Sequence, residues 1–190
     1  MKKQWIYISC IGAMLLAACT QKTTETQNQP KEEVTVASPV TEEPKPTMVD
    51  GKYTVVSDAT TLKWIGKKVG GEHFGKVKVT EGSFDWANGT IAGGSFTIDF
   101  NTITVEDIPA DNADNAKLTG HLKSADFFDV AKTPTATFTI TKVEPITDGT
   151  GTHKITGDLA MKGKTNSIEF PATITPTADG ATVTAKIVFD

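Results

Sequence analysis

The fold of this chain is decided by the stretch GHLKSADFFDVAKTPTATF, residues 120–138. Its first half lacks the alternation of a strand, and it places Phe127 and Phe128 side by side among acidic residues. Its second half, after Pro134, alternates threonine with apolar residues, which is typical of a strand. We therefore predict a short helical segment near residues 111–128, followed directly by a strand.

The helical segment has a suitable first residue but a weak interior. Asp111 or Asn112 would cap its N-terminus, whereas Gly120 costs about 1 kcal/mol relative to alanine inside a helix. We therefore expect the helix to be short. The two phenylalanines after it would form an aromatic plug at one end of the neighbouring β-structure.

Alternating stretches occur on both sides of this segment, and threonine, which favours strands, occurs 31 times in the chain. Short turns such as Asp148-Gly149 separate them. Together they predict a mainly β, antiparallel sandwich or barrel of about eight strands within residues 50–190. The eight stretches are GKYTVVSD, TLKWIGKKVG, HFGKVKVTEGSF, TIAGGSFTIDFNTITV, PTATFTITKV, HKITGDLAMKG, SIEFPATITP and ATVTAKIVFD.

The inward faces of these strands are almost wholly apolar. An eight-stranded barrel either fills its interior with side chains or holds one small ligand there, and the sequence leaves both possibilities open. The substitution Phe100→Trp would separate them, because it would expel a ligand from a cavity but overpack a solid core. The candidate lining residues are Trp64, Val77, Phe96, Ile98, Phe100, Phe127, Phe128, Phe138, Ile140, Leu159 and Phe170.

The N-terminus has the layout of a secretory signal. Lys2 and Lys3 precede an apolar run, and the run ends in Leu-Ala-Ala-Cys at Cys19, which resembles a bacterial lipoprotein box. The alternative, a membrane-spanning helix, needs about 18–20 apolar residues, and this run is shorter. We expect residues 1–18 to be a signal peptide. Cys19 would then carry at least two palmitate-type acyl chains, enough to anchor the chain stably in a membrane.

Residues 19–49 have the composition of a tether. They are rich in Thr, Gln, Glu, Lys and Pro and contain almost no large apolar side chain, so they cannot offset the entropy of folding. We predict a disordered linker from the membrane to a single domain at residues 50–190. Three glutamates soon after the cysteine leave a surface-export signal as an alternative role for this segment.

Composition argues against several classes of protein. All 19 basic residues are lysines, and without residues 1–18 the formal charge is 17 − 23 = −6, which disfavours nucleic-acid binding. No cysteine remains after Cys19 for a disulfide or a thiolate metal site. His73, His121 and His153 are too dispersed to predict a metal site, and no Gly-x-Ser-x-Gly elbow is present. We expect no enzyme activity, no metal and no cofactor.

Four stretches of the domain together resemble the YceI-like family. The resemblance implies a lipocalin-like antiparallel barrel that binds a polyisoprenoid lipid, of the quinone or prenyl-phosphate type, in its apolar interior. It also implies a non-enzymatic protein of the cell envelope, and the lipobox and threonine-rich tether resemble a Bacteroidetes-type lipoprotein. The stretches are LKWIGKKVGGEHFGKV (62–77), GGSFTIDFNTITVED (93–107), GHLKSADFFDVAKTPTATFTI (120–140) and ITGDLAMKGKTNSIEFPATI (155–174).

The sequence departs from the family at its C-terminus. Family members continue beyond the strand that ends near Asp190, so we expect a truncated chain whose last strand leaves an open edge.

Lys67 and Lys68 are either contacts for an anionic head group at a barrel mouth or ordinary surface lysines. The alternative function is a cell-surface interaction module with a solid barrel core, an exposed apolar patch and no small-molecule ligand.

Overall fold

The computed structural model describes residues 4–7 and 47–189, and within them the chain forms nine strands, one α-helix and a short 3₁₀ turn at Ser57–Ala59. Cys19 and the tether up to residue 46 lie outside the described residues. The helix α1 is Ala113–Lys123. The strands are β1 Gln4–Tyr7, β2 Gly51–Thr54, β3 Leu62–Lys68, β4 Gly71–Ala87, β5 Thr90–Val105, β6 Thr135–Pro145, β7 His153–Met161, β8 Lys164–Thr177 and β9 Gly180–Phe189.

Every strand pair is antiparallel, and the pairing runs around a ring. The order β4-β3-β1-β9-β8-β7-β6-β5 returns to β4 through the β4–β5 hairpin. Strand β2 lies outside this ring and pairs with the second half of β4, while β3 pairs with the first half. The predicted antiparallel barrel of about eight strands is confirmed, and all eight predicted stretches contain a strand.

The sequence predicts an open edge at the last strand. In the structure, strand β1 pairs with β9 and lies between β9 and β3. Residues Lys186 to Phe189 of β9 pair with β1, and β1 also pairs with Ile65 and Gly66 of β3. Strand β1 lies inside the segment that we predict to be a signal peptide, and the removal of that segment stays a prediction. Its removal would leave these backbone groups of β3 and β9 without strand partners.

The helical segment follows its prediction closely. The Oδ1 atom of Asn112 accepts a hydrogen bond from the backbone N–H of Asp114 at 2.9 Å, so Asn112 is the N-cap. The Asn115 amide donates to the carbonyl oxygens of Val105 (3.2 Å) and Ile108 (2.7 Å), which ties the helix to the end of β5. The helix ends at Lys123, and the chain then turns instead of continuing as a helix.

The buried apolar residues form two clusters inside the barrel. The first includes Leu122 from α1 and Val130 from the segment after it. The second includes Phe138 and Phe170, whose rings lie 5.5 Å apart. The half-buried Phe96 packs against both clusters, and so does Leu159. The apolar faces of the strands therefore point into the ring, as the alternation predicts.

Candidate ligand-binding cavity

The interior of the barrel is hollow. It contains a cavity of about 570 Å³, whose deep wall is made of aliphatic and aromatic side chains from β3 to β9. This volume lies within the range of about 300–1,000 Å³ that encloses small-molecule ligands in proteins. The solid core required by the alternative function is therefore not what the structure shows.

Ten of the eleven predicted lining residues lie on the cavity wall. Their side chains point inward because they occupy every second position of their strands. Their role in ligand binding stays a prediction. The ten residues are Trp64, Val77, Phe96, Ile98, Phe100, Phe128, Phe138, Ile140, Leu159 and Phe170.

Phe127 is the exception, because it is not among the residues that line the cavity. It packs edge-on against Phe128, with ring centroids 4.7 Å apart, and it does not reach the cavity. Phe128 stacks on Phe100 at 4.2 Å with an interplanar angle of 15°. Adjacent residues in a turn point in different directions, so only one of the two phenylalanines can enter the interior.

The aromatic plug is held in place by polar contacts behind it. The ammonium group of Lys162, in the turn between β7 and β8, donates to the carbonyl oxygens of Ala125 (2.6 Å) and Phe127 (2.8 Å). Thr133 donates from its hydroxyl to the Phe128 carbonyl oxygen at 3.0 Å. These contacts fix the turn that carries the two phenylalanines, and this end of the cavity is closed.

The cavity also extends to exposed residues of the chain. The deep wall uses alternate strand residues, but two segments line the cavity with runs of consecutive residues, at 53–56 with 59–62 and at 179–183. Val56 and Val183 in these runs are exposed, at 67% and 37% of their surface. We call the two segments, residues 53–62 and 177–183, the rim, because they line the cavity with exposed residues.

The polar groups of the wall are concentrated on the rim. The buried Trp64 is the exception, and its indole N–H is satisfied by the Thr104 carbonyl oxygen at 3.0 Å. Asp179 is the one charged residue among those that line the cavity. Sequence reasoning missed the rim, since its residues lie partly in the linker between β2 and β3 and partly at strand ends, where alternation does not show which residues meet.

The two lysines considered for an anionic head group do not line the cavity. The ammonium group of Lys68 lies 3.0 Å from Nε2 of His73, and Lys67 lies 3.8 Å from the Glu72 carboxylate. Both lysines belong to the β3–β4 hairpin, beside the segment that follows β5. Their position fits the interpretation as surface lysines.

His73 also makes a hydrogen bond that the sequence did not reveal, because its partner lies 34 residues away. Its Nδ1 atom lies 2.7 Å from Oδ2 of Asp107, and the Phe74 N–H donates to the other carboxylate oxygen at 3.0 Å. Burial by itself would raise the pKa of the Asp107 carboxyl, but the hydrogen bonds from His73 and Phe74 outweigh it and leave the pKa below 3.8. The pair ties the β3–β4 hairpin to the end of β5.

Within residues 4–7 and 47–189, no group of three or more His, Cys, Asp or Glu side chains is arranged to hold a metal ion. None of the helices in these ranges combines the length and the apolar character that crossing a membrane requires.

An antiparallel barrel around an apolar cavity is typical of lipocalin-like proteins. Within that class, residues 53–190 match the YceI-like domain, and the chain therefore belongs to the YceI-like family. The crystal structure of Burkholderia cenocepacia BcnA is similar in fold, with a TM-score of 0.50 at 17% identity. That comparison covers 68% of this chain and 96% of BcnA.

Curated relatives are similar in sequence over part of their length. A UPF0312 protein of Pseudomonas putida is 33% identical over 99 residues, which cover 52% of this chain and 47% of that protein. A UPF0312 protein of Ectopseudomonas mendocina is 29% identical over 136 residues, covering 66% of this chain and 69% of that protein. The chain thus spans about half the length of the Pseudomonas putida relatives that it matches.

Proposed function

We propose that this protein binds a polyisoprenoid lipid inside its barrel and holds or carries it without chemical conversion. The observation that carries the proposal is the cavity of about 570 Å³ with its apolar deep wall. Burying apolar surface contributes about 25 cal/mol per Å² before the cost of ordering the ligand. A prenyl chain presents only such surface, and membership of the YceI-like family supports the same ligand class.

The difference between the two ends of the cavity supports a long ligand whose two ends differ in polarity. The plug closes one end with Phe100 and Phe128, whereas the rim opens to solvent. A ligand with an apolar chain and a more polar head would therefore place its chain against the plug and its head at the rim. A quinone and a prenyl derivative both have this form.

We further propose that the protein is anchored in the cell envelope through a lipidated Cys19 after removal of residues 1–18. The lipobox-like residues that end at Cys19 support this, as does the tether-like composition of residues 19–49. The variant Cys19→Ser should move the protein from the membrane fraction to the soluble or unprocessed fraction. Unchanged partition and an unchanged N-terminal mass would contradict the anchoring proposal alone.

Two substitutions on the same strand test the binding proposal. One places a large side chain inside the cavity, and the other places the same side chain on the outer surface of the barrel. Ala136 is 1% exposed and lines the cavity, whereas Thr139 lies on the same strand and faces solvent. We expect Ala136→Phe to weaken binding of geranylgeraniol by at least about 10-fold, because the new ring occupies space that the chain needs. Thr139→Phe should leave the affinity unchanged.

Circular dichroism and thermal melting of both variants show whether each is folded before affinity is compared by native mass spectrometry. A folded Ala136→Phe variant that binds geranylgeraniol as tightly as the unsubstituted chain would contradict binding inside the barrel. Should Ala136→Phe fail to fold, the smaller change Ala136→Leu at the same position provides the comparison.

A further inference from the structure

The rim carries an unusual charge balance for a site that meets the polar end of a lipid. No lysine or histidine occurs among the lining residues that the structure describes, and the sequence contains no arginine. The one charged lining residue is the carboxylate of Asp179, which is exposed in the turn between β8 and β9. A negative charge without a cation partner on the cavity wall repels an anionic group that approaches it.

The rim also offers neutral hydrogen-bonding groups that make no hydrogen bond within residues 4–7 and 47–189. The hydroxyl of Thr60 is already bonded to the Val56 carbonyl oxygen at 2.9 Å. Four other threonine hydroxyls on the rim have no hydrogen bond to any group in the described part of the chain. Each hydroxyl can donate one hydrogen bond and accept two. The four are those of Thr54, Thr61, Thr177 and Thr182.

From these observations we infer that the cavity selects polyisoprenoids with an uncharged hydroxyl or carbonyl head and discriminates against those with a phosphate head. The inference rests on the proposed function and specifies its ligand. The threonine hydroxyls would hydrogen-bond an alcohol or a quinone carbonyl. A phosphate head would bring its negative charge to the Asp179 carboxylate with no lysine on the wall to offset it.

The test compares two lipids that differ only in the head, geranylgeraniol and geranylgeranyl phosphate, on the full chain at low ionic strength. We expect the alcohol to bind at least about 10-fold more tightly than the phosphate, which corresponds to about 1.4 kcal/mol. Asp179→Asn should reduce this ratio, and Asp179→Lys should reverse it. The ratio for the unsubstituted chain should also shrink as added salt screens the exposed charge.

A matched control removes the negative charge of another aspartate, at the plug end of the barrel. Asp126 is exposed beside the aromatic plug and does not line the cavity, so Asp126→Asn should leave the ratio as it is. Phosphate binding as tight as alcohol binding, or a ratio that Asp179→Asn does not change, would overturn the inference and leave the proposed function standing. Failure of both lipids to bind would overturn the proposed function itself, and the inference with it.

Discussion

At the scale of single residues, His153 is the group whose charge is most directly linked to folding. Burial at the start of β7 lowers the pKa of its imidazole below 6.5, because the charged form loses hydration. A histidine with a lowered pKa in the folded state binds fewer protons there than in the unfolded chain. Its contribution to stability is therefore present above about pH 6.5 and is lost as the pH falls from there toward the lowered value.

This linkage predicts the pH dependence of one substitution. The melting temperature of the unsubstituted chain should fall between pH 7 and pH 5, and His153→Gln should remove part of that fall. His121 is exposed on α1, so His121→Gln is the matched control and should preserve the fall. Equal pH dependence in both variants, measured by differential scanning calorimetry, would show that the burial of His153 does not contribute.

Residue directions in strands were predictable, whereas those in turns were not. Alternation placed Phe96, Ile98 and Phe100 on the inward face of β5, because successive strand side chains point to opposite sides. Alternation does not predict the direction of the Phe127 side chain, because Phe127 lies in a turn whose geometry depends on contacts with Lys162. The hydrogen bond between His73 and Asp107 depends on folding and has no local signal.

At the scale of elements, the pair Gly93-Gly94 shows why β5 bends where it does. The register between β4 and β5 shifts between Asp85 and Trp86, opposite this pair. A Cβ atom on Gly94 would lie 2.7 Å from the carbonyl oxygen of Ser83 and 2.9 Å from Cβ of Phe84, whereas one on Gly93 would meet nothing within 4 Å. Close packing therefore requires only the second glycine of the pair.

The two glycines therefore make a matched pair of substitutions. We expect Gly94→Ala to destabilise the protein by about 1–3 kcal/mol, because the backbone of β4 must move. Gly93→Ala should be neutral or stabilise by up to about 1 kcal/mol, since alanine loses less freedom on folding than glycine. Urea denaturation measures both values, and a similar effect at the two positions would rule out this account of the bend.

The arrangement of whole elements was only partly predictable. Eight of the nine strands follow from alternation, and the short helix with a cap at Asp111 or Asn112 follows from capping chemistry. Strand β1 does not follow. That β2 and β3 share the two halves of β4, and that the linker between them becomes part of the rim, does not follow. These features depend on long-range strand pairing, and the sequence pattern of each strand is the same whichever neighbour it has.

At the scale of the whole molecule, apolar and polar side chains line different parts of the cavity. The plug closes one end with stacked aromatic rings, the deep wall is apolar, and the rim carries the hydroxyls and the carboxylate of Asp179. This arrangement suits a guest with a prenyl chain and a neutral head. The apolar interior was predictable from the sequence, but its being hollow was not, because the same inward residues would also build a solid core.

The central claim is that the barrel holds one polyisoprenoid, and native mass spectrometry of the full chain tests it most directly. The protein is isolated from bacterial envelopes without added lipid, and its bound lipid is identified by solvent extraction. A second sample is delipidated and offered ubiquinone and geranylgeraniol. We predict one lipid per chain, with a mass that matches a prenyl chain and a neutral head. A protein that is isolated without lipid, and that takes up neither lipid afterwards, would contradict the account.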